Sequence, residues 1–381
     1  MTAVDAHLAY TRPADVYVDA DRLRARTLAP EANGAPRSYD LRPCRVLDCS
    51  APGGLRPDLR EHGFAHADLS HLPQLQALLA RIHRAGRVTP DVASQLRRAL
   101  TGRSLRLSGG DDLRLLFIAP EGLIIRRAGP NGLQVHAGTA RRHIHHDAAT
   151  EVHADQDVDG TPLRQILRGA APSLFHHDSP DRANRHSRLH LVNLWIPLSQ
   201  VTRPLALMDR RTLDRRNHQL RYGLPVDDFL NRREDMRVND IWTFLYDQSQ
   251  QWYFSSTLDS RTAYVFETLS TPHGSFILPG EARAESRHRR LSAAIAAIHR
   301  RDPAALDRAL EPADDGSAGE PATAPLRRAI ADMDAVLATA RAHAHALARG
   351  EGALGWCTRA AAAADVVVRT SLEMRAVGLR T

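Results

Sequence analysis

His153-Ala-Asp155, with His273 far down the chain, supplies two imidazoles and one carboxylate in a pattern that suits a single metal ion. In an extended strand, residues i and i+2 project from the same face, so His153 and Asp155 can reach one ion together. His273 must then come from a distant strand that a closed β-structure lays alongside. Two neutral imidazoles and a carboxylate fill three sites of an octahedral divalent iron. Three cis positions stay open, enough for a bidentate co-substrate and O2. The chain has 20 histidines, so a chance His-x-Asp is expected and the motif needs its surroundings.

Those surroundings form an ordered series. Val152-His153-Ala154-Asp155-Gln156 leads to Leu191-Val192-Asn193-Leu194-Trp195-Ile196-Pro197, then Pro204-Leu205-Ala206-Leu207-Met208-Asp209, Gln251-Trp252-Tyr253-Phe254 and Thr271-Pro272-His273-Gly274-Ser275-Phe276. Over roughly residues 40 to 290 this order resembles the AsaB-like hydroxylase/desaturase family, which includes gibberellin-desaturase-like and CmcJ-like members. The resemblance implies an Fe(II)- and 2-oxoglutarate-dependent oxygenase on a double-stranded β-helix. It implies His153, Asp155 and His273 as metal ligands, with O2 and a small, natural-product-like molecule as substrates. Three positions depart from the family pattern. Ile196 stands where an arginine follows the tryptophan, Glu267-Thr268-Leu269-Ser270-Thr271 replaces a Lys-x-Phe-Asp-Ser, and Ala284 to Arg290 replaces a regular strand. Asp155 disfavours the related halogenases, in which a small residue leaves room for chloride.

A 2-oxoglutarate site needs a cation for the distal carboxylate, best an arginine that pairs bidentately. The wider superfamily places it ten to twenty residues after the distal histidine. Arg283, Arg287 and Arg290 qualify; matching Glu285-Ser286 to the family's Glu-Ser puts Arg290 first, Arg287 second and Ser286 beside them. The same three arginines also fall on one face of a helix, where they would need no ligand. Asn193 and Trp195 alternate inward on one strand as co-substrate and substrate neighbours. Trp252 and Tyr253 are candidates for the substrate wall, and Arg141 for a substrate contact. Each of these aromatics could equally be plain core. His143, His145 and His146 make a denser cluster, read as solvated loop residues. Two rival functions share the triad: a catalytically idle metal-binding jelly roll, and a non-oxidative metalloenzyme.

Composition narrows the field further. The chain has 381 residues and a formal net charge of +7, yet contains no lysine, and acidic residues interleave with its arginines. No aromatic-studded basic stripe suggests nucleic-acid binding. No apolar run reaches a membrane span, and Met1 to Val16 lacks a signal-peptide pattern, so a cytoplasmic protein is expected. Cys44, Cys49 and Cys357 form no zinc pattern.

These residues need a scaffold, and the expected fold is α+β. Its core is a double-stranded β-helix with flanking helices, spanning residues 38–290. Residues 1–37 read as a flexible arm. Residues 291–381 read as a C-terminal helical region that covers the barrel or joins a homodimer. Apolar spacing predicts outer helices over Leu72–Ile82 and Pro90–Leu100. The polar stretch Ser173–Arg188 reads as a surface lid.

Overall fold

The computed structural model describes residues 3–19, 22–25, 39–132, 145–146, 151–160, 163–164, 167–225, 238–312 and 319–381. Its strands form two sheets. The first has ten strands in the order β1 (Ala3–Tyr10), β4 (Asp40–Asp48), β15 (Trp252–Phe254), β12 (Leu205–Met208), β17 (His273–Ser275), β10 (His153–Ala154), β14 (Val238–Phe244), β13 (Gln219–Pro225), β3 (Arg22–Ala25) and β2 (Val16–Asp19). The second runs β5 (Phe64–Asp68), β16 (Thr262–Glu267), β11 (Leu189–Pro197), β18 (Arg369–Arg380), β7 (Asp112–Ile118) and β6 (Ser104–Arg106). On it, β8 (Ile124–Ala128) also pairs β18, and β9 (His145–His146) pairs β8. The quartet β8-β18-β11-β16 faces the quartet β10-β17-β12-β15, which is the expected double-stranded β-helix. Between them lies an inner core of Phe64, Trp195, Leu205, Leu207, Tyr253, Tyr264 and Phe266, drawn from both sheets.

Strand alternation decides which side chains look inward. On β11, Asn193 and Trp195 face the other sheet. Val192, Leu194 and Ile196 face outward and pack with Leu372, Met374 and Val265 against the helices. The helices of that outer layer follow α1 (Leu59–His62); they are α2 (Pro73–Ala85) and α3 (Pro90–Leu100), as expected from their spacing. Leu75, Leu78, Leu79 and Ile82 of α2 and Val92, Leu96 and Leu100 of α3 form the buried stripe. Proline in each first turn and Gly86 in the left-handed conformation after α2 set the ends. Two further short helices are α4 (Ala171–Leu174) and α5 (Arg215–His218).

Three segmental expectations are corrected. Residues 3–10 are no loose arm: β1 pairs β4 from Ala3↔Leu47 to Tyr10↔Asp40, and Val4, Ala6, Leu8 and Tyr10 are buried. The period-two alternation was masked by the Pro-, Ala- and Arg-rich composition around it. Nor is the C-terminal region wholly helical. Helices α6 (Glu281–Arg300), α7 (Pro303–Leu310), α8 (Ala324–Ala342), α9 (Ala344–Ala348) and α10 (Ala353–Val366) give way to β18. That strand runs the length of β11, from Leu379↔Leu189 to Ser371↔Pro197, and so is central to the β-helix. The barrel domain therefore does not end at residue 290. The five helices are an insertion between β17 and β18, and they cover the outer face of the ten-stranded sheet, packing on Leu8, Val46, Ala154, Met208, Trp242 and Trp252. Finally, Ser173–Arg188 is not wholly a surface lid, because His176, His177, Asp178 and Ser179 are buried. Among the described residues, no helix is long and apolar enough to cross a membrane.

Candidate metal centre

Adjacent strands bring the triad together. β10 pairs β17 in antiparallel register with His153 directly opposite His273. Side chains opposite each other on neighbouring strands share a face, so both imidazoles point at the second sheet, their ring centroids 4.4 Å apart. Asp155 lies just past the end of β10. Its Oδ1 is 3.9 Å from Nε2 of each histidine. The approach to His273 is buttressed from behind. Thr271 Oγ1 donates to the Gly63 carbonyl at 2.7 Å. Gly63 closes α1 at φ 87, and a Cβ there would sit 2.7 Å from that same Oγ1, so glycine is required twice over.

Hydrogen bonds fix the tautomers. His153 Nδ1 lies 2.7 Å from the Glu151 carbonyl oxygen, and His273 Nδ1 lies 3.1 Å from that of Thr271. A carbonyl only accepts, so Nδ1 carries the proton in both rings and each Nε2 lone pair is free to ligate. Burial lowers the His153 imidazole to about 4, with His273 adding to the effect and Asp155 opposing it. Burial likewise lowers His273 against the pull of Asp155. For Asp155, burial acts to raise the carboxyl, but Arg375, both histidines and Arg126 together hold it far below the usual range. At neutral pH the triad is thus two neutral imidazoles and one carboxylate. That donor set fits a divalent ion such as iron and leaves part of the coordination sphere to other ligands.

β11 and β18 supply the surroundings from across the sandwich. Asn193 Nδ2 donates to Asp155 Oδ2 at 3.3 Å, and Arg375 Nη2 lies 3.3 Å from Asp155 Oδ1. Asn193 is therefore brought to the triad, although β11 faces the metal strand rather than lying beside it. Further along β18, Glu373 pairs with Arg126 of β8, and Ser371 accepts from Arg369 Nη1 at 2.8 Å. The Arg369 guanidinium lies over the Trp195 ring, 5.1 Å from its centroid. Arg369 is buried, and among the described residues no carboxylate pairs with it. Burial, reinforced by Arg203 and Arg126 and opposed by Glu373 and Glu281, lowers it to about 9. Arg203 is also buried. It donates to Ser275 Oγ at 2.9 Å and to the Gly129 carbonyl, and lies 3.8 Å from Glu281. Ser275 sits two residues after His273 on the same face of β17, so this cationic end adjoins the triad.

Other expected residues lie elsewhere. Arg287, Arg290 and Ser286 are on α6, outside the ten-stranded sheet. Arg287 Nε bonds Asp334 Oδ1 at 2.6 Å, and Arg290 reaches the carbonyls of Ala309 and Leu310. These are ties within the helical layer, so the structure does not bring them to the triad. The five-helix insertion lies between β17 and β18, so the arginines of β18 fall far along the sequence from His273. Trp252 faces that same helical layer, its Nε1 donating to Tyr10 Oη at 2.9 Å, and is no substrate wall. Tyr253 shares the triad's face but packs in the inner core, 6.2 Å from the Phe64 ring. Ile196 is outward and buried among the α2 and α3 side chains. Arg141 and His143 lie outside the described residues. Sequence reasoning missed Arg126, Arg203, Arg369, Glu373 and Arg375. The signal available was the alternation Arg369, Ser371, Glu373, Arg375 against Leu372, Met374, Ala376.

A family model described as an oxidoreductase/YMDC permease-like domain (YDMC) matches residues 123–292, which is less than half of the chain. No curated protein matches the sequence significantly. Among solved structures, the iron and alpha-ketoglutarate-dependent endoperoxidase NvfI is similar at 18% identity and a TM-score of 0.45, over 73% of this chain and 91% of that one. A second structure of NvfI in a different conformation is similar at 17% identity and a TM-score of 0.47, with the same coverage.

Proposed function

We propose that this chain is an Fe(II)- and 2-oxoglutarate-dependent oxygenase that hydroxylates or desaturates a small molecule at the expense of O2. One observation carries the reading: His153 and His273 face each other in register with Nδ1 tied back, and Asp155 stands between their free Nε2 atoms. His153, Asp155 and His273 would hold the iron. When bound, iron and 2-oxoglutarate together supply the activation of O2 and the oxidising power. The chain's own part is to orient and to exclude water. Asn193 and Arg375 restrain the Asp155 carboxylate, while Phe266, 4.5 Å from the His273 ring centroid, walls the site with apolar surface.

The anchor for the distal carboxylate of 2-oxoglutarate is proposed to be Arg369, not Arg290. A buried guanidinium without a carboxylate partner is costly, and an anion bound beside it relieves that cost. Trp195 lies beneath the guanidinium and Arg203 stands nearby, which makes this end of the site suited to a carboxylate.

The test is anaerobic addition of Fe(II) and then 2-oxoglutarate, followed by O2. A weak visible charge-transfer band, then succinate formed with O2 uptake, is the expected result. Iron binding with no response to 2-oxoglutarate would favour an idle metal-binding jelly roll or a non-oxidative metalloenzyme.

A further inference from the structure

On the other face of the eight-stranded sheet is a second cluster of ligand-type side chains: His176, His190 and Glu267. His190 alternates outward on β11, where Asn193 looks inward. Glu267 ends β16 directly after Phe266, whose ring lies against His273. The sheet therefore separates the two groups. His176 is held by its own backbone, its N–H donating to the Leu189 carbonyl at 2.8 Å. All three side chains are enclosed, with exposures of 2%, 0% and 1%.

Their geometry brings two ring nitrogens onto one carboxylate oxygen. Glu267 Oε1 is 2.8 Å from His190 Nδ1 and 3.0 Å from His176 Nδ1. The first contact is a well-directed hydrogen bond. The second is poorly directed, which leaves the buried His176 Nδ1 without a hydrogen bond; His190 Nε2, on the ring edge away from Glu267, is buried without one as well and lies outside the shared centre. Orphaned ring nitrogens in a closed interior are costly. Two nitrogens converging on one oxygen at these separations match the edges of an octahedron with bonds of about 2.1 Å, which are about 3 Å long. The imidazole rings stack with centroids 4.8 Å apart and planes 21° apart, so one ring must tilt for both nitrogen lone pairs to meet at one ion. Arg210 Nη1 holds the other oxygen, Oε2, at 2.8 Å. That contact leaves Oε1 as a monodentate donor oriented from its far side, as an outer-shell partner does for a ligating carboxylate.

We infer that His176, His190 and Glu267 form a second, structural site for a divalent first-row transition ion, of the zinc or iron class that imidazole and carboxylate donors favour. Against burial, which acts to raise it, the Glu267 carboxyl is held well below its ordinary range by Arg210 and His176, so it is available as an anion. The ion would clamp the segment carrying His176 onto β11 and β16, the strands that present Asn193, Trp195 and Phe266 to the triad. It would do no chemistry itself, because the cluster is closed to solvent.

The probe is Co(II), supplied during expression, with bound metal counted after desalting. The double variant His153→Ala/His273→Ala leaves the second cluster untouched. Wild-type protein should carry two equivalents and this variant one; adding His190→Gln should take the variant to none. Retention of cobalt would show as a rise in melting temperature relative to metal-free protein, since an ion bound only by the folded state stabilises it. A folded His153→Ala/His273→Ala protein that holds no cobalt, or cobalt that survives the added His190→Gln, overturns the inference. If instead His153→Ala/His273→Ala fails to remove an equivalent, the triad reading fails while the second site is still decided by His190→Gln.

Discussion

Replacing Arg369 with methionine should make the protein more stable and, at the same time, unable to bind 2-oxoglutarate tightly. Burial and the neighbouring Arg203 and Arg126 push the Arg369 guanidinium down to about 9, so its charged form is disfavoured by several kcal/mol, at about 1.4 kcal/mol per tenfold step. Methionine removes that cost but loses the contact over Trp195, about 1–2 kcal/mol, and the bond to Ser371, about 1 kcal/mol. The net gain is on the order of 2 kcal/mol, read by urea denaturation of the co-substrate-free protein. The pH dependence gives a second readout. Because the folded-state value lies below the unfolded one, the folded chain binds fewer protons from about pH 9 up to the ordinary guanidinium range, and wild-type stability recovers as pH rises through that window. The advantage of the variant should therefore be full below pH 9 and shrink above it. Calorimetric titration of the anaerobic Fe(II) protein with 2-oxoglutarate should show a loss of about 2–4 kcal/mol in the variant, roughly 30- to 1,000-fold in affinity. A variant that is less stable and binds 2-oxoglutarate as wild type does would refute both halves of the argument, because Arg369 would then be satisfied within the protein.

His153→Ala or His273→Ala should abolish the visible band formed with Fe(II) and 2-oxoglutarate; an unchanged spectrum would remove these residues from the metal. Arg290→Ala should leave 2-oxoglutarate affinity within error and cost about 1–2 kcal/mol of stability through its lost carbonyl contacts, as urea denaturation would report. Truncation before Arg369 should prevent folding, because β18 is the central partner of β11, β7 and β8; a soluble, cooperatively melting product would contradict the topology. Trp252→Phe should cost about 1 kcal/mol for the bond to Tyr10 and leave turnover unchanged, checked by denaturation alongside succinate formation.

The sequence by itself determined the ligand-type residues, the inward alternation of Asn193 and Trp195, and the two outer helices. Each of these is local: i, i+2 geometry, strand period and helical stripe are set within a few residues, and His153 and Asp155 are close enough to share them. The double-stranded β-helix was legible through the order of motifs that surrounds them. What only the tertiary structure decided is non-local. β1 and β18 are strands because each completes a sheet whose other members lie far away, and neither stands out in alanine- and arginine-rich surroundings. The arginines that face the triad from β18 were not anticipated for the same reason: a five-helix insertion separates His273 from Arg369 in sequence, whereas sheet pairing returns β18 beside β11. His176, His190 and Glu267 share no local spacing, and they converge only because two strands and a returning loop bury their outward faces at one point.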